Sequence, residues 1–515
     1  LSPAALLLAA ALAAPARAAT VKLFAFDAEG RALDLPGLLA RLGRADDKLP
    51  RDPAKAPLWA VPVDGKSEPV RAALAQIGGG KLLTATWPGG PAALRLVWPV
   101  EKDGYSAVAA DNGGHGYADG AFVFLEEEIA LTEYRRLKES AQRQAADGPA
   151  PSAKALKLDE AAKLAIAYAQ KQRGPGARAE FFGKALHAVA LASETALFER
   201  GRGRAHERAF SKTARFGVTL DDGVLKRLDD LDWIADSVAG AGNNWVRLVF
   251  RPNPADFAYA SPGSFAEYDA VVKALKRRKL KILGGVLDTA QWPRTLTPEI
   301  YAGRVKNLAE HYKGQVDGWE VGSEINGDWL GGAKAPLAAD DVFKIYRAGA
   351  AAARAADRDA EVDVTLYWWE ETAPDREHSL SGWLANYGPK GFARDVDVVG
   401  LDVFPEDAPA GLALERAFDE LAAGAPETRL LLSSYGYVEK DKVLGYWWLS
   451  PDDPDGPDGA RKDLVLLYTA GSCAMPRSLC GGFWWQTLDQ MLPPGRKKPA
   501  DLFKVYAHAL HEAGR

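Results

Sequence analysis

Two carboxylates and a pair of serines carry most of the chemistry this chain could do. Glu324 closes the apolar run in "GWEVGSEINGDWLG" and is bracketed by Trp319 and Trp329. Asp402 lies in a second run, "VDVVGLDVF", and a third, "RLLLSSYGY", ends in Ser433, Ser434 and Tyr435. A carboxyl group delivered by the end of a buried strand faces a site, where it can move a proton or attack an electrophilic carbon. A serine in the same place brings a neutral hydroxyl that needs a base, and no histidine is near it in the sequence. "SSYG" is not a nucleophile elbow either, because that turn needs glycine where Leu432 stands. The 7 histidines are scattered. His508 and His511 share a helical spacing but have no carboxylate ligand motif beside them, so no metal site and no cofactor is expected.

The elements that must position these residues follow from the hydrophobic pattern. From residue 215 onward, short apolar runs alternate with amphipathic helical stretches such as "SFAEYDAVVKALKRRK" and "DDVFKIYRAGAAAARAA". The runs fall at 215–220, 245–250, 281–287, 316–322, 362–368, 396–404, 429–434 and 481–486. Such alternation predicts an α/β fold, an eight-stranded parallel (β/α)8 barrel over 211–515. A doubly wound sheet is the alternative, but no glycine-rich phosphate turn follows the first strand. In such barrels the chemistry sits where strands end. The strand ends here offer Asp221, Arg247, Arg251, Asp288, Glu324, Glu370, Glu371, Asp402, Ser433, Ser434, Trp485 and Gln486. Trp292, Trp329, Trp368, Trp369 and Trp485 are also expected at the mouth. Polar groups ringed by tryptophans suit a carbohydrate cleft, because sugars present flat apolar faces as well as hydroxyls.

"GWEVGSEINGDWLG" resembles the fourth strand of clan A glycoside hydrolases, the retaining (β/α)8-barrel glycosidases. That resemblance implies that Glu324 is the acid/base, with Ser323 in place of the family's usual Asn. "NNWVRLVF" is similar to their second strand, which implies that Arg247 lies beneath the catalytic pair. "GGFWWQTLDQ" is similar to the eighth, which implies that Trp485 floors the sugar site. Of Trp484 and Trp485, strand geometry sends one into the core and the other into the cleft. The resemblance covers about 211–510 and implies a polysaccharide or oligosaccharide partner, with Trp329, Trp368 and Tyr435 as further substrate contacts.

The chain departs from that family at its nucleophile. Retaining enzymes need two carboxyl groups roughly 5 Å apart, and the family's strand-seven Glu is matched here by Ser434. Phe404 stands where the family commonly has a Tyr that holds the nucleophile. Three explanations are open. Another carboxylate serves, with Asp402, Glu370, Glu371, Glu439 and Asp489 as candidates. Hydrolysis has been lost and the cleft only binds polysaccharide. Or Ser434 is an introduced substitution. A scaffold role in a cell-surface glycan system is a further alternative, in which long helices with apolar faces dock a partner.

The remaining sequence bounds the setting. Net charge is -5, with 64 basic and 69 acidic residues, and no basic face marks a nucleic-acid partner. Residues 1–18 read as a signal peptide, an apolar stretch ending in Ala16-Arg17-Ala18, so export to the periplasm or beyond is expected. No later stretch has the ~20 apolar residues of a membrane span. Residues 19–142 read as a mixed α+β domain, with a β-sandwich as one alternative, and 143–210 as a helical linker region. Trp87, Trp98 and Tyr105 there could be sugar platforms, but core positions are favoured. Cys473 and Cys480 could form a local disulfide in an oxidising compartment or remain reduced.

Overall fold

The computed structural model describes residues 18–42, 56–64, 68–78, 82–100, 104–145, 150–207, 213–253, 255–258, 266–332, 334–438, 456–475, 477–495 and 497–513. The expected leader therefore lies outside the described residues except for Ala18, which opens the first strand.

The N-terminal strands form two four-stranded sheets. One is ordered β4-β5-β1-β8 and the other β3-β2-β6-β7. The strands are β1 (Ala18–Phe24), β2 (Leu58–Pro62), β3 (Val70–Arg71), β4 (Ala73–Ile77), β5 (Leu82–Pro88), β6 (Ala92–Val100), β7 (Gly104–Ala110) and β8 (Phe122–Phe124). Alternation drives one face of each sheet inward: in β1, Ala19, Val21 and Leu23 are buried. Trp87 and Trp98 are buried in this core, and Tyr105 is half-buried. Helices Leu125–Ala145, Ala153–Gln170 and Pro175–Ala205 follow. Ser152 starts the second by accepting the Ala155 N–H at 3.1 Å. Gly201 of the third lies so close to the Ala470 carbonyl that an added Cβ would meet it at 1.9 Å. That contact lets the long helix lie against the barrel.

Eight parallel strands then close a barrel in the order β10-β11-β12-β13-β14-β15-β16-β9. They are β9 (Arg215–Leu220), β10 (Trp245–Val249), β11 (Lys281–Gly285), β12 (Gly318–Glu320), β13 (Glu361–Tyr367), β14 (Val398–Val403), β15 (Arg429–Tyr435) and β16 (Gly481–Trp484). All eight sequence runs are strands, and the expected helices occupy Ala266–Arg277 and Ala339–Ala356. The helix Pro298–His311 is one crossover whose start is fixed by its sequence. Thr297 accepts the Ile300 N–H at 3.3 Å, and Pro298 takes a position where no amide donor is needed.

The barrel interior is layered. Trp245, Leu283, Val398, Leu431 and Phe483 form an apolar plug. Arg215 stacks on Trp245 at 4.5 Å and pairs with Asp363. Two residues up from Trp245, Arg247 points inward again and grips Glu320, with Nε–Oε2 at 2.5 Å and Nη2–Oε1 at 2.8 Å. Both side chains are almost fully buried. Such a pair is costly to break from one side, because the remaining charge has no partner. Arg247→Leu is expected to lower unfolding free energy by about 3–5 kcal/mol. Arg247→Leu with Glu320→Leu should recover most of that loss. Denaturant unfolding of the three proteins checks this, and a double variant no better than the single one contradicts it.

Among the described residues no helix is long and apolar enough to cross a membrane. Cys473 and Cys480 are joined by a disulfide.

Candidate active site

Directly above Arg247 the barrel opens into a cavity of about 300 Å³. Its lining comes from the C-terminal ends of six strands and the loops that follow them. Asp288, Ser323, Glu324, Trp329, Tyr367, Asp402, Phe404, Asp407, Ser434 and Trp485 all contribute. The volume lies at the small end of ligand clefts.

Glu324 reaches this cavity on a strained backbone. Its φ is +47°, a left-handed conformation that a residue with a side chain rarely adopts. The turn is held by strand β13. Thr365 Oγ1 accepts the Glu324 N–H at 2.8 Å, and the Thr365 carbonyl accepts the Ile325 N–H at 3.1 Å. The same hydroxyl donates to Asp402 Oδ2 at 3.0 Å, so one threonine joins the two carboxyl-bearing segments. Gly400 leaves the room: a Cβ there would meet Ser433 Cβ at 2.6 Å and Thr365 Cγ2 at 2.9 Å.

Ser434 enters the cavity because of an irregularity in the sheet. β14 and β15 are in register up to Leu401↔Leu432, then resume at Val403↔Tyr435. Ser433 and Ser434 thus together oppose Asp402, which is a β-bulge. The bulge aims the Ser434 N–H at Asp402 Oδ1, at 2.9 Å. Ser434 Oγ is buried, lines the cavity and makes no hydrogen bond to a described residue. Arg247 Nη1 below it is buried and likewise without a hydrogen-bond partner among the described residues.

Asp402 does not behave as a surface carboxylate. Burial raises its pKa from 3.8 to about 8, and the neighbouring Glu320 adds to the shift. Arg247 and the hydrogen bonds from Ser434 and Thr365 oppose it without prevailing. Burial is the main cause, and the Arg247 fork that could offset it is already engaged by Glu320.

The structure brings Glu324, Asp402, Ser434, Ser323, Trp329 and Trp485 to one cavity. Arg247 sits beneath it, 5.1 Å from the Trp485 ring and with Nη2 at 3.3 Å from Ser323 Oγ. Trp484 is the core member of its pair and Trp485 the cleft member.

Two expected substrate contacts lie elsewhere. Trp368 is fully buried, because Thr365 and Tyr367 take the inward face of β13 and Trp368 is left facing the core. Tyr435 follows the bulge and turns outward, against Thr469, Tyr468 and Trp484. Trp292 is also core, against Tyr301. The alternative carboxylates Glu370 and Glu371 are held by Arg95, Ser381 and Arg416 and do not line the cavity. Asp489 is exposed beside a different depression, and Glu439 lies outside the described residues.

Tyr367, which had no sequence assignment, completes the wall together with Trp369 and Phe404. Tyr367 lines the cavity, and Trp369 packs on both Trp329 and Tyr367, at 5.2 and 5.5 Å. Phe404 stacks on Tyr367 at 6.2 Å and stands in the cavity wall, beside Gly436 and Trp485. Asn326 ties the arrangement together. It accepts the Tyr367 N–H at 2.7 Å and donates to the carbonyls of Tyr367 and His378, at 3.1 and 2.9 Å. The alternation through Asp363, Thr365 and Tyr367 was a usable signal for Tyr367. Asp407 had none, because it lies in a loop.

Among the described residues no group of three or more His, Cys, Asp or Glu side chains is placed to hold a metal ion.

No family model and no curated protein matches this chain. Solved structures do. A mutant of xylanase A from P fluorescens subsp. cellulosa, in complex with xylopentaose, matches at 17% identity over 58% of this chain and 99% of that one, with a TM-score of 0.43. A thermostable mutant of a xylanase from Cellvibrio japonicus matches at 17% identity over 59% and 100%, with a TM-score of 0.41. A family 1 β-glucosidase from Thermotoga maritima matches at 10% identity over 59% and 98%, with a TM-score of 0.43. At such low identities and scores the fold class rests on the closed parallel barrel itself.

A folded-state proton on Asp402 has a consequence for stability. Its pKa is about 8 in the fold against an ordinary 3.8. Between those values folding takes up a proton, so stability falls as pH rises through that window. Asp402→Asn is expected to flatten the fall in thermal midpoint between about pH 5 and about pH 8. Scanning calorimetry of both proteins checks this, and equal slopes contradict it.

Proposed function

We propose that the barrel mouth of this glycoside hydrolase-like protein binds a polysaccharide, and that the ordinary retaining reaction is absent. One observation carries the reading. β15 delivers the Ser434 hydroxyl, which has no hydrogen-bond partner among the described residues, to the cavity that holds Glu324, at the position where double displacement would require an ionised carboxylate. Asp402 does not replace it, because burial favours its neutral form at pH 7 and two hydrogen bonds occupy its oxygens.

What the mouth retains suits binding. Trp485 and Trp329 offer aromatic faces, Glu324 and Asp288 offer acceptors, and Ser434 Oγ and Arg247 Nη1 are buried polar groups awaiting partners. In this reading Glu324 contacts sugar hydroxyls, and Ser323 and Arg247 support the floor beneath Trp485.

A second reading is favoured by Asp402 itself. A neutral Asp402 and Glu324 at one cavity are a potential acid and base, an arrangement used by inverting hydrolases. Export to the periplasm or the cell exterior is part of the proposal, supported by the apolar N-terminal stretch and the Cys473–Cys480 disulfide.

The wild-type protein and Ser434→Glu are to be assayed side by side on a panel of β-linked polysaccharides. The expected outcome is binding without reducing-end release by the wild type, and hydrolysis only in the variant. Wild-type cleavage abolished by Glu324→Gln and giving inverted anomers would establish the second reading instead. Trp485→Ala should weaken binding by about ten- to a hundredfold, the scale of losing one stacked ring. Affinity electrophoresis measures it, and unchanged mobility removes the mouth as the binding site.

A further inference from the structure

The N-terminal region does more than pack on the barrel. Its sheet β3-β2-β6-β7 donates and accepts hydrogen bonds at two loops, one that lines the mouth through Phe404 and Asp407 and one that backs its wall through Trp369. The loop after β13 (368–379) carries Trp369 and leads away from Tyr367. There Trp59 Nε1 donates to the Glu371 carbonyl at 3.1 Å, a buried bond. Arg71 Nη2 donates to the carbonyls of Ala373 and Pro374 at 2.7 and 3.1 Å, and the Arg71 guanidinium lies over the Trp59 ring at 4.7 Å. The loop after β14 (404–413) carries Phe404 and Asp407. There the Ala107 N–H donates to the Pro409 carbonyl at 3.1 Å, and Ser106 Oγ accepts the Leu412 N–H at 2.9 Å.

Ion pairs close the same seam. Arg95 pairs with Glu420 at 2.7 Å and lies 3.7 Å from Glu370, while Arg416 holds Glu371 at 2.6 Å. From the cleft side, Asn326 and the Trp369 Nε1 bond to the His378 carbonyl at 2.7 Å grip the first loop again. Apart from the short helical turn Gly411–Ala413, these loops lie outside strands and helices, so the donors that reach their carbonyls help to decide where they sit. A stacking site tolerates displacements of only about 0.5 Å, so wall position and affinity are linked.

We propose that Trp59, Arg71 and Ser106 are positioning residues of the glycan site. They act through the loops at 368–379 and 404–413, which makes the N-terminal sheet a working part of the mouth. This rests on the proposed glycan-binding reading.

The test uses the full chain and two readouts. Binding is measured by calorimetry with cellohexaose, xylohexaose and mixed-linkage β-glucan. Loop order is measured by hydrogen exchange of peptides covering 368–379 and 404–413. Arg71→Ala is expected to speed exchange in 368–379 and weaken binding by about tenfold while leaving exchange of the barrel strands unchanged. Arg71→Lys should restore part of both, because it keeps a donor. Ser106→Ala, a milder change, should loosen 404–413 in the same way if the arginine variant fails to fold. Trp485→Ala should weaken binding by about ten- to a hundredfold without altering loop exchange.

Unchanged exchange in Arg71→Ala and Ser106→Ala overturns the proposal. So does loosened exchange with wild-type affinity. Wild-type affinity in Trp485→Ala, or no binding by the wild type, overturns the glycan reading and with it the role given to these residues. That failure is recognised because it appears without any change at Arg71.

Discussion

One guanidinium lies beneath the mouth of the barrel, and two buried carboxyl groups compete for it. Arg247 gives its fork to Glu320. Asp402, close above, is left with a backbone amide and a threonine hydroxyl, and the neutral form is the one its surroundings favour. This shortage of positive charge organises the site. Arg247 also supports Ser323 and the Trp485 ring, so the ion pair in the core and the aromatic floor of the cavity are parts of one arrangement. A second ionised carboxylate at the end of β15 would have to share the same cation. Ser434 spares the site that cost, and a hydroxyl at that position cannot carry out the double displacement.

Local strain is concentrated at the same level. Glu324 sits in a left-handed conformation, and the adjoining β14–β15 ladder is broken by a bulge at Ser433 and Ser434. Both irregularities turn side chains into the cavity that regular strand geometry would have sent elsewhere. Thr365 holds one through the Glu324 N–H, and Asp402 holds the other through the Ser434 N–H. The hydrogen bond between Thr365 and Asp402 makes them a single support. The proposed loss of ordinary hydrolysis therefore leaves the framework of the site in place.

The barrel was legible because each strand is a short apolar run followed by an amphipathic helix. The run expected at 245–250 is Trp245–Val249, and the one at 429–434 is Arg429–Tyr435. Glu324, Ser434 and Trp485 could be placed because strand ends meet at one mouth. Trp368 was expected there too, although the alternation Asp363, Thr365, Tyr367 already sends it to the opposite face. Tyr435 follows a bulge that no local pattern announces. Glu370 and Glu371 look like mouth carboxylates until the N-terminal domain, distant in sequence, supplies Arg95 at the seam beside Arg416. Tertiary charge pairing of that kind leaves no periodic trace.

The central claim is that Asp402, the carboxyl group that accepts the Ser434 N–H, is not ionised at neutral pH. Carboxyl carbon chemical shifts of ¹³C-labelled protein, with the Asp402 signal assigned by its loss in Asp402→Asn, test it most directly. The account predicts that Asp402 stays protonated through pH 7 and titrates near pH 8. An Asp402 carboxylate already ionised at about pH 5 would supply the missing charge and contradict it.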